Sequence, residues 1–210
     1  MERTEWRKLH QHRGIAAEEE HLHQQEFCRR GITDKNVIEE AVANFAVRCT
    51  EKLRRQGSVC QGITVFAWTS RFNEHVPEYT IHDSLTLPIA TNAQEEIVGA
   101  ALSILRAKYP KPMADSRPDC PDMSFHFKKA GVILWQISLD HPRQQDLFDP
   151  IDRSKQKKLM EAIDAINRKN GYGTIRQAIQ GTDCRFDLKR EYMSKQFTTN
   201  IHDILKVKTK

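Results

Sequence analysis

The segment 36–56, NVIEEAVANFAVRCTEKLRRQ, decides how this chain folds. Its apolar residues recur at intervals of three and four with charged residues between them, which is the pattern of a helix with one apolar face. They are Ile38, Ala41, Val42, Phe45, Cys49 and Leu53. Thr33-Asp34 supplies a cap before the segment, and Gly57 supplies a stop after it. The pattern predicts a long helix that packs one side against a core.

Extended segments follow this helix. Residues 59–68 are rich in β-branched and aromatic residues, and residues 79–87 alternate between apolar and polar, with a turn at 73–77 between the two segments. A second amphipathic helix is predicted at 93–108, ending before Pro110, and residues 125–138 read as a further strand.

If residues 26–32 are also extended, the order of elements is strand, helix, strand, strand, helix, strand. That order predicts an α+β, ferredoxin-like split βαβ domain over 26–140, in which a four-stranded antiparallel sheet carries both helices on one face. Residues 1–25 would then be an N-terminal segment or linker, and 141–150 a loop. Residues 151–210 would form a small, mainly helical, basic C-terminal domain, with a helix at 152–169 that turns Leu159, Met160, Ile163 and Ile166 inward.

Composition indicates a globular protein, with 39% hydrophobic and 29% charged residues. No apolar run approaches the roughly 18 residues that a membrane span needs, and the N-terminus is charged, so we expect a cytoplasmic protein with no membrane contact. Residues 151–210 contain 14 Lys plus Arg against 7 Asp plus Glu, a net +7 in a chain of net +5. A C-terminal segment with this net positive charge favours contact with phosphates; the alternative is that its charged residues only form a solvated surface.

The residue patterns of an independent enzyme are missing from the sequence. There is no glycine-rich phosphate loop, no credible carboxylate cluster and no assignable Ser/His/Asp or Cys/His group. The five cysteines are widely spaced and never form CxxC, so we expect neither a disulfide framework nor a zinc site. No metal or cofactor is expected.

Several stretches, in order, resemble the C-terminal part of UmuC-type, Y-family translesion DNA polymerases. They are ITDKNVIEEAVANFAVRCTEKLRRQG, LPIATN, KKAGVILWQIS, QQDLFD, KLMEAIDAINRKNGYGTIRQA and KREYMSKQFTTNIHDILKVK. They cover roughly residues 32–208. The resemblance implies that 26–140 is the little finger, the domain that grips the primer-template duplex.

In that family the sheet of the little finger lies along duplex DNA and contacts its phosphates, which implies that the face away from the helices binds DNA here. The implied DNA-contacting residues near strands are Arg29, Arg30, Lys128 and Lys129, with Lys52, Arg54 and Arg55 flanking them. Each of the three flanking residues has the alternative role of solubilising a helix end.

The segment QQDLF resembles the pentapeptide by which many bacterial DNA polymerases dock on the β sliding clamp. On this resemblance Leu147 and Phe148 are the apolar anchors and Gln144 is the orienting group, while Asp146 helps to keep the unbound loop soluble. The alternative is that the Leu-Phe pair completes a local core.

The family's catalytic palm has no counterpart in this sequence, so the chain alone is not expected to polymerise DNA. Residues 1–31 fit the family poorly. The hypotheses are a non-catalytic fragment that binds DNA and the clamp, a piece of an active polymerase, a small regulator that occupies the clamp, and a fragment without function. A full polymerase of this type also works with an accessory subunit and a recombinase filament, whose contacts the sequence does not place.

Overall fold

A computed structural model describes residues 21–26, 31–70, 78–110, 125–140, 151–182 and 194–195, with the backbone alone for 21–26. The elements in chain order are β1 (His21–Glu26), α1 (Lys35–Gln56), β2 (Ser58–Thr69), β3 (Thr80–Thr91), α2 (Gln94–Lys108), β4 (Phe127–Leu139), α3 (Arg153–Asn170) and a short 3-10 helix (Ala178–Gln180). No helix among these residues is long and apolar enough to cross a bilayer.

The four strands form one antiparallel sheet in the order β1-β4-β2-β3. Because β1 and β2 both pair with β4, they are parallel to each other and are separated by β4. In the same way, β3 and β4 both pair with β2, so they are parallel to each other and are separated by β2. Helices α1 and α2 make the two crossovers, so the sheet consists of two interlocked split βαβ units. The predicted α+β fold class is confirmed.

The first strand lies earlier in the chain than the sequence suggested. It spans His21–Glu26 instead of 26–32. Further along the chain, Ile32 forms a bridge to Phe127 with N···O distances of 2.8 and 2.9 Å. Gly31 has a φ of 73°. Because a positive φ interrupts extended backbone, 26–32 cannot be one continuous strand.

Helix α1 forms as its sequence predicts. The Asp34 side chain accepts a hydrogen bond from the backbone N–H of Asn36 at 2.8 Å, and Gly57 ends the helix in the left-handed conformation with a φ of 66°. The predicted apolar face is fully buried against the sheet and α2. The polar residue Asn44 is also buried, because the 3-10 helix covers a second side of α1. The side-chain amide of Asn44 donates a hydrogen bond to the carbonyl of Gln180, in that 3-10 helix.

Helix α3 attaches to the domain by its polar side. Of the four apolar residues expected inside, only Met160 is buried, whereas Leu159 is 54% and Ile166 is 38% exposed. Ile163 is half-buried. The expectation is confirmed for Met160 and wrong for Leu159 and Ile166, because charged pairs hold the helix: Arg153 contacts Glu96 at 2.6 Å. A helical period reveals that an apolar stripe exists, but not whether that stripe faces the domain.

Candidate nucleic-acid interface

The pairing register divides the sheet into a covered face and an open face. Ile63, Val65 and Ala67 on β2 point to the helices and are fully buried, so their neighbours point the other way. We call the following set the open face: Gly62, Thr64, Phe66 and Trp68 on β2, Thr80, His82, Ser84 and Thr86 on β3, and Lys129, Gly131, Ile133 and Trp135 on β4.

Trp135 is fixed flat on the open face. A Cβ built at Gly62, its cross-strand partner, would fall inside the indole ring, so only glycine leaves room for the ring there. The indole Nε1 donates to the Thr64 hydroxyl at 3.0 Å, and that hydroxyl lies 2.8 Å from the Ser84 hydroxyl. The chain of hydrogen bonds crosses three strands and holds the aromatic ring in place.

A second aromatic group lies further along β2. Phe66 and Trp68 stack with ring centroids 4.9 Å apart and planes 21° apart, and the Lys129 ammonium lies 5.4 Å from the Trp68 centroid. That distance is within the range of a cation–π contact. Trp68 is 37% exposed, so the group combines an apolar surface with a positive charge.

A β-bulge separates the two predicted lysines of β4. Trp68 pairs with Lys129 while Thr69 pairs with Phe127, which leaves Lys128 as an extra residue. The extra residue lets Phe127 enter the core while Lys129 keeps its place on the open face. The structure therefore places Lys129 in the predicted DNA face and Lys128 at its margin.

Edge strand β3 contributes a row of short polar side chains. Thr80, His82, Ser84 and Thr86 are all exposed at alternate positions. Asp83 points to the helical side, where it contacts Lys108 at 3.4 Å. A hydrogen bond from the backbone N–H of Ser84 lowers the pKa of the Asp83 carboxyl. Among the described side chains of the open face, Lys129 is therefore the one permanent charge, and none is a carboxylate.

Three further predicted DNA contacts lie away from the open face. Lys52, Arg54 and Arg55 lie near the C-terminal end of α1, in the helical layer. Arg55 pairs with Glu51 at 2.9 Å and remains largely exposed, and Lys52 is exposed. Arg29 and Arg30 lie outside the described residues.

Arg54 has a structural partner that the sequence did not reveal. Its guanidinium makes two hydrogen bonds to the Asp164 carboxylate, at 2.6 and 2.7 Å, and a third to the Asn92 carbonyl at 3.1 Å. Its side chain is only 10% exposed. Arg54 therefore links α1 to α3, and its contact with DNA remains a prediction.

Gln144, Asp146, Leu147 and Phe148 also lie outside the described residues. The residues on both sides of that segment are held in place. The Asp140 N–H donates to the Gly57 carbonyl at 2.8 Å and the Asp140 carboxylate contacts Lys157 at 3.1 Å. Asp152 caps α3 by accepting from the Lys155 N–H at 3.0 Å.

The aromatic residues of the open face were missed in the sequence. The sequence predicts Trp68 and Trp135 only as parts of the strands at 59–68 and 125–138. The available signal was alternation: Thr64, Phe66 and Trp68 share one face of β2, and glycines stand at 62 and 131. The pairing of Gly62 with Trp135 depends on register, which the sequence alone did not supply.

An interlocked split βαβ sheet with helices on one side and an open face carrying aromatic residues on the other defines a class of α+β modules that can present a sheet to a partner. The family model described as the impB/mucB/samB family C-terminal domain matches residues 20–147. A second, described as a domain of unknown function (DUF4113), matches residues 157–207.

Curated relatives agree with this match. Protein UmuC of Salmonella typhimurium is 34% identical over 178 residues, covering 84% of this chain and 39% of the relative. Protein ImpB of Salmonella typhimurium is 32% identical, with coverage of 86% and 41%, and protein MucB of Escherichia coli is 32% identical, with coverage of 80% and 36%. The chain thus spans about two fifths of their length. It belongs to the impB/mucB/samB family, as the C-terminal part of a UmuC-type, Y-family polymerase.

Proposed function

We propose that this chain is the part of an error-prone translesion DNA polymerase that holds duplex DNA and docks on the sliding clamp, and that it does not itself catalyse synthesis. The observation that carries the DNA-holding role is the open face. Lys129, the Trp68 ring and the hydroxyl row of β3 lie together on that face.

The chemistry of the open face suits a DNA backbone better than base edges. Hydroxyl, imidazole and ammonium groups donate hydrogen bonds to phosphate oxygens, and the backbone N–H groups of an edge strand can do the same. The side chains of Thr80, Ser84 and Thr86 are short, so they have little reach toward base edges in a groove. A grip of this kind accepts any sequence, which a polymerase working opposite damaged bases requires.

The test is fluorescence anisotropy of this chain with labelled duplexes of two unrelated sequences across a salt series. We expect equal affinity for both duplexes, and we expect the logarithm of the binding constant to fall linearly with the logarithm of the salt concentration. Lys129→Glu should weaken binding to both equally and lower the salt slope by about one. Lys35→Glu makes the same change in net charge in the helical layer, at a residue that is not a predicted DNA contact, so it is the matched control and should have little effect. Equal loss in both variants would place DNA binding elsewhere.

The clamp-docking role rests on the QQDLF segment at 144–148 and on the family. Such a segment binds by burying its Leu and Phe in a preformed apolar pocket. Binding of this chain to a bacterial β sliding clamp should fall by about 2 kcal/mol or more for each anchor in the Leu147→Ala, Phe148→Ala variant. Leu139→Ala removes an exposed leucine just before the segment and is the control.

Circular dichroism of the double variant separates the two roles of the Leu-Phe pair. An unfolded variant would show that the pair completes a core, and the docking proposal would fail. Clamp binding without any DNA binding would instead favour a regulator that occupies the clamp. A longer protein that contains this chain and a catalytic palm would place the same two surfaces in an active polymerase.

A further inference from the structure

Helix α3 carries its apolar stripe on the side that faces away from the domain. Leu159, Ala162 and Ile166 are all exposed and, at intervals of three and four, share one side of the helix. We call these three residues the outer α3 stripe. An ordinary surface helix turns such a stripe toward the core.

The opposite side of α3 explains this orientation. It meets the domain through hydrogen-bonded and charged groups: Arg153 and Gln156 bind Glu96 at 2.6 and 2.7 Å, and Asp164 binds Arg54. Met160 is the one buried apolar residue of the helix. Because these contacts fix the rotation of α3, the outer α3 stripe cannot turn inward without breaking them.

The charge around the stripe indicates what can cover it. Lys155 lies one turn before Leu159, Lys158 one turn before Ala162, and Lys169 one turn after Ile166. All three lysines are exposed, and none of the ion pairs between described residues involves them. The acids of α3, Glu161 and Asp164, lie on other sides of the helix, so the charges that α3 itself places beside the stripe are positive.

We infer that the outer α3 stripe and its three lysines form a docking surface for an acidic amphipathic segment of a partner protein, one whose apolar residues are flanked by carboxylates. Apolar residues at the centre supply the buried area, and the lysine rim selects the sign of the partner's charge. DNA offers phosphates but no apolar ridge to bury Leu159 and Ile166. This surface is separate from the open face.

Two other occupants fit the charge less well. A second copy of this chain would bring the same three lysines against themselves in a symmetric dimer. The chain's own residues 183–210 contain 7 Lys plus Arg and 4 Asp plus Glu, a net +3, so they too share the sign of the surface. An acidic partner is the occupant that charge complementarity favours.

The experiment uses the full chain and two synthetic helical peptides with the same Leu-Ile stripe, one flanked by glutamates and one by lysines. Anisotropy should show that the glutamate peptide binds about tenfold more tightly or better, and less so at high salt. Leu159→Gln with Ile166→Gln should remove that binding, whereas Leu139→Gln, an exposed leucine outside α3, should not. Changing Lys155, Lys158 and Lys169 to Glu together should reverse the preference toward the lysine peptide.

Several outcomes would overturn the inference. Equal affinity for the two peptides, or binding that survives the Leu159→Gln, Ile166→Gln change, would show that the stripe is not the site. A concentration-dependent dimer lost in that variant, measured by sedimentation, would make a second copy the occupant. Stronger peptide binding by a chain ending at residue 182 would identify the terminal segment as the occupant. Stripe-dependent binding to vesicles containing anionic lipid, with none to the glutamate peptide, would make it a membrane-surface helix.

Discussion

Removal of the Arg54 to Asp164 contact should separate α3 from the rest of the domain and cost substantial stability. The guanidinium makes two hydrogen bonds to the carboxylate and one to the Asn92 carbonyl, and the two side chains are 10% and 21% exposed. A hydrogen bond to a charged group contributes about 1.5–3 kcal/mol net. Deletion of one partner of a fully buried pair costs about 3–5 kcal/mol, and this pair is only partly buried.

We therefore expect Arg54→Ala to lower the free energy of unfolding by about 3 kcal/mol and Asp164→Ala by about 2 kcal/mol. A double-mutant cycle measured by urea denaturation should give a coupling of about 2 kcal/mol. The chain supplies a matched control: Arg55 and Glu51 form a surface pair at 2.9 Å in the same helix, with Arg55 72% exposed. Their coupling should be about 0.5 kcal/mol or less.

The same variants decide between the two roles of Arg54. In the structural role, Arg54→Ala destabilises the protein and exposes α3 to hydrogen exchange, while the affinity of the folded protein for duplex DNA changes little. A coupling as small as that of the surface pair would refute the reasoning. So would an unchanged free energy of unfolding together with a loss of DNA affinity, since that result would return Arg54 to the DNA surface.

Further predictions concern the open face and the core. Gly62→Val should drive the Trp135 ring off the sheet, cost about 1–3 kcal/mol in urea denaturation and shift the tryptophan emission, whereas Gly99→Val, at a site with open space around it, should leave the emission unchanged. Burial raises the pKa of the Cys60 thiol from 9.0 to about 12, so the folded protein should resist thiol reagents at Cys60 near pH 8. Because the unfolded state ionises this thiol first, Cys60 should lower the free energy of unfolding as pH rises from about 9 toward 12, and Cys60→Ala should flatten that dependence.

The sequence by itself determined the local elements and the family. The three-four spacing of apolar residues in α1, its Asp34 cap and its Gly57 stop depend only on neighbours in the chain, and the structure confirms them. The order of elements along the chain followed from the same local patterns, although the first strand lies at His21–Glu26 and not at 26–32. The resemblance in six segments agrees with the family match over residues 20–147. The DNA contacts and the clamp-docking role of residues 144–148 remain predictions.

Only the tertiary structure decided which side chains meet. Gly62 receives Trp135, Arg54 binds Asp164 across 110 positions of sequence, and α3 docks with its polar side while Leu159 stays exposed. The physical reason is that periodicity specifies which residues share a face, whereas register and partner choice depend on residues distant in the chain. A basic residue near a helix end has the same local sequence pattern whether its partner is a phosphate or a carboxylate. The fold brings the Asp164 carboxylate to Arg54.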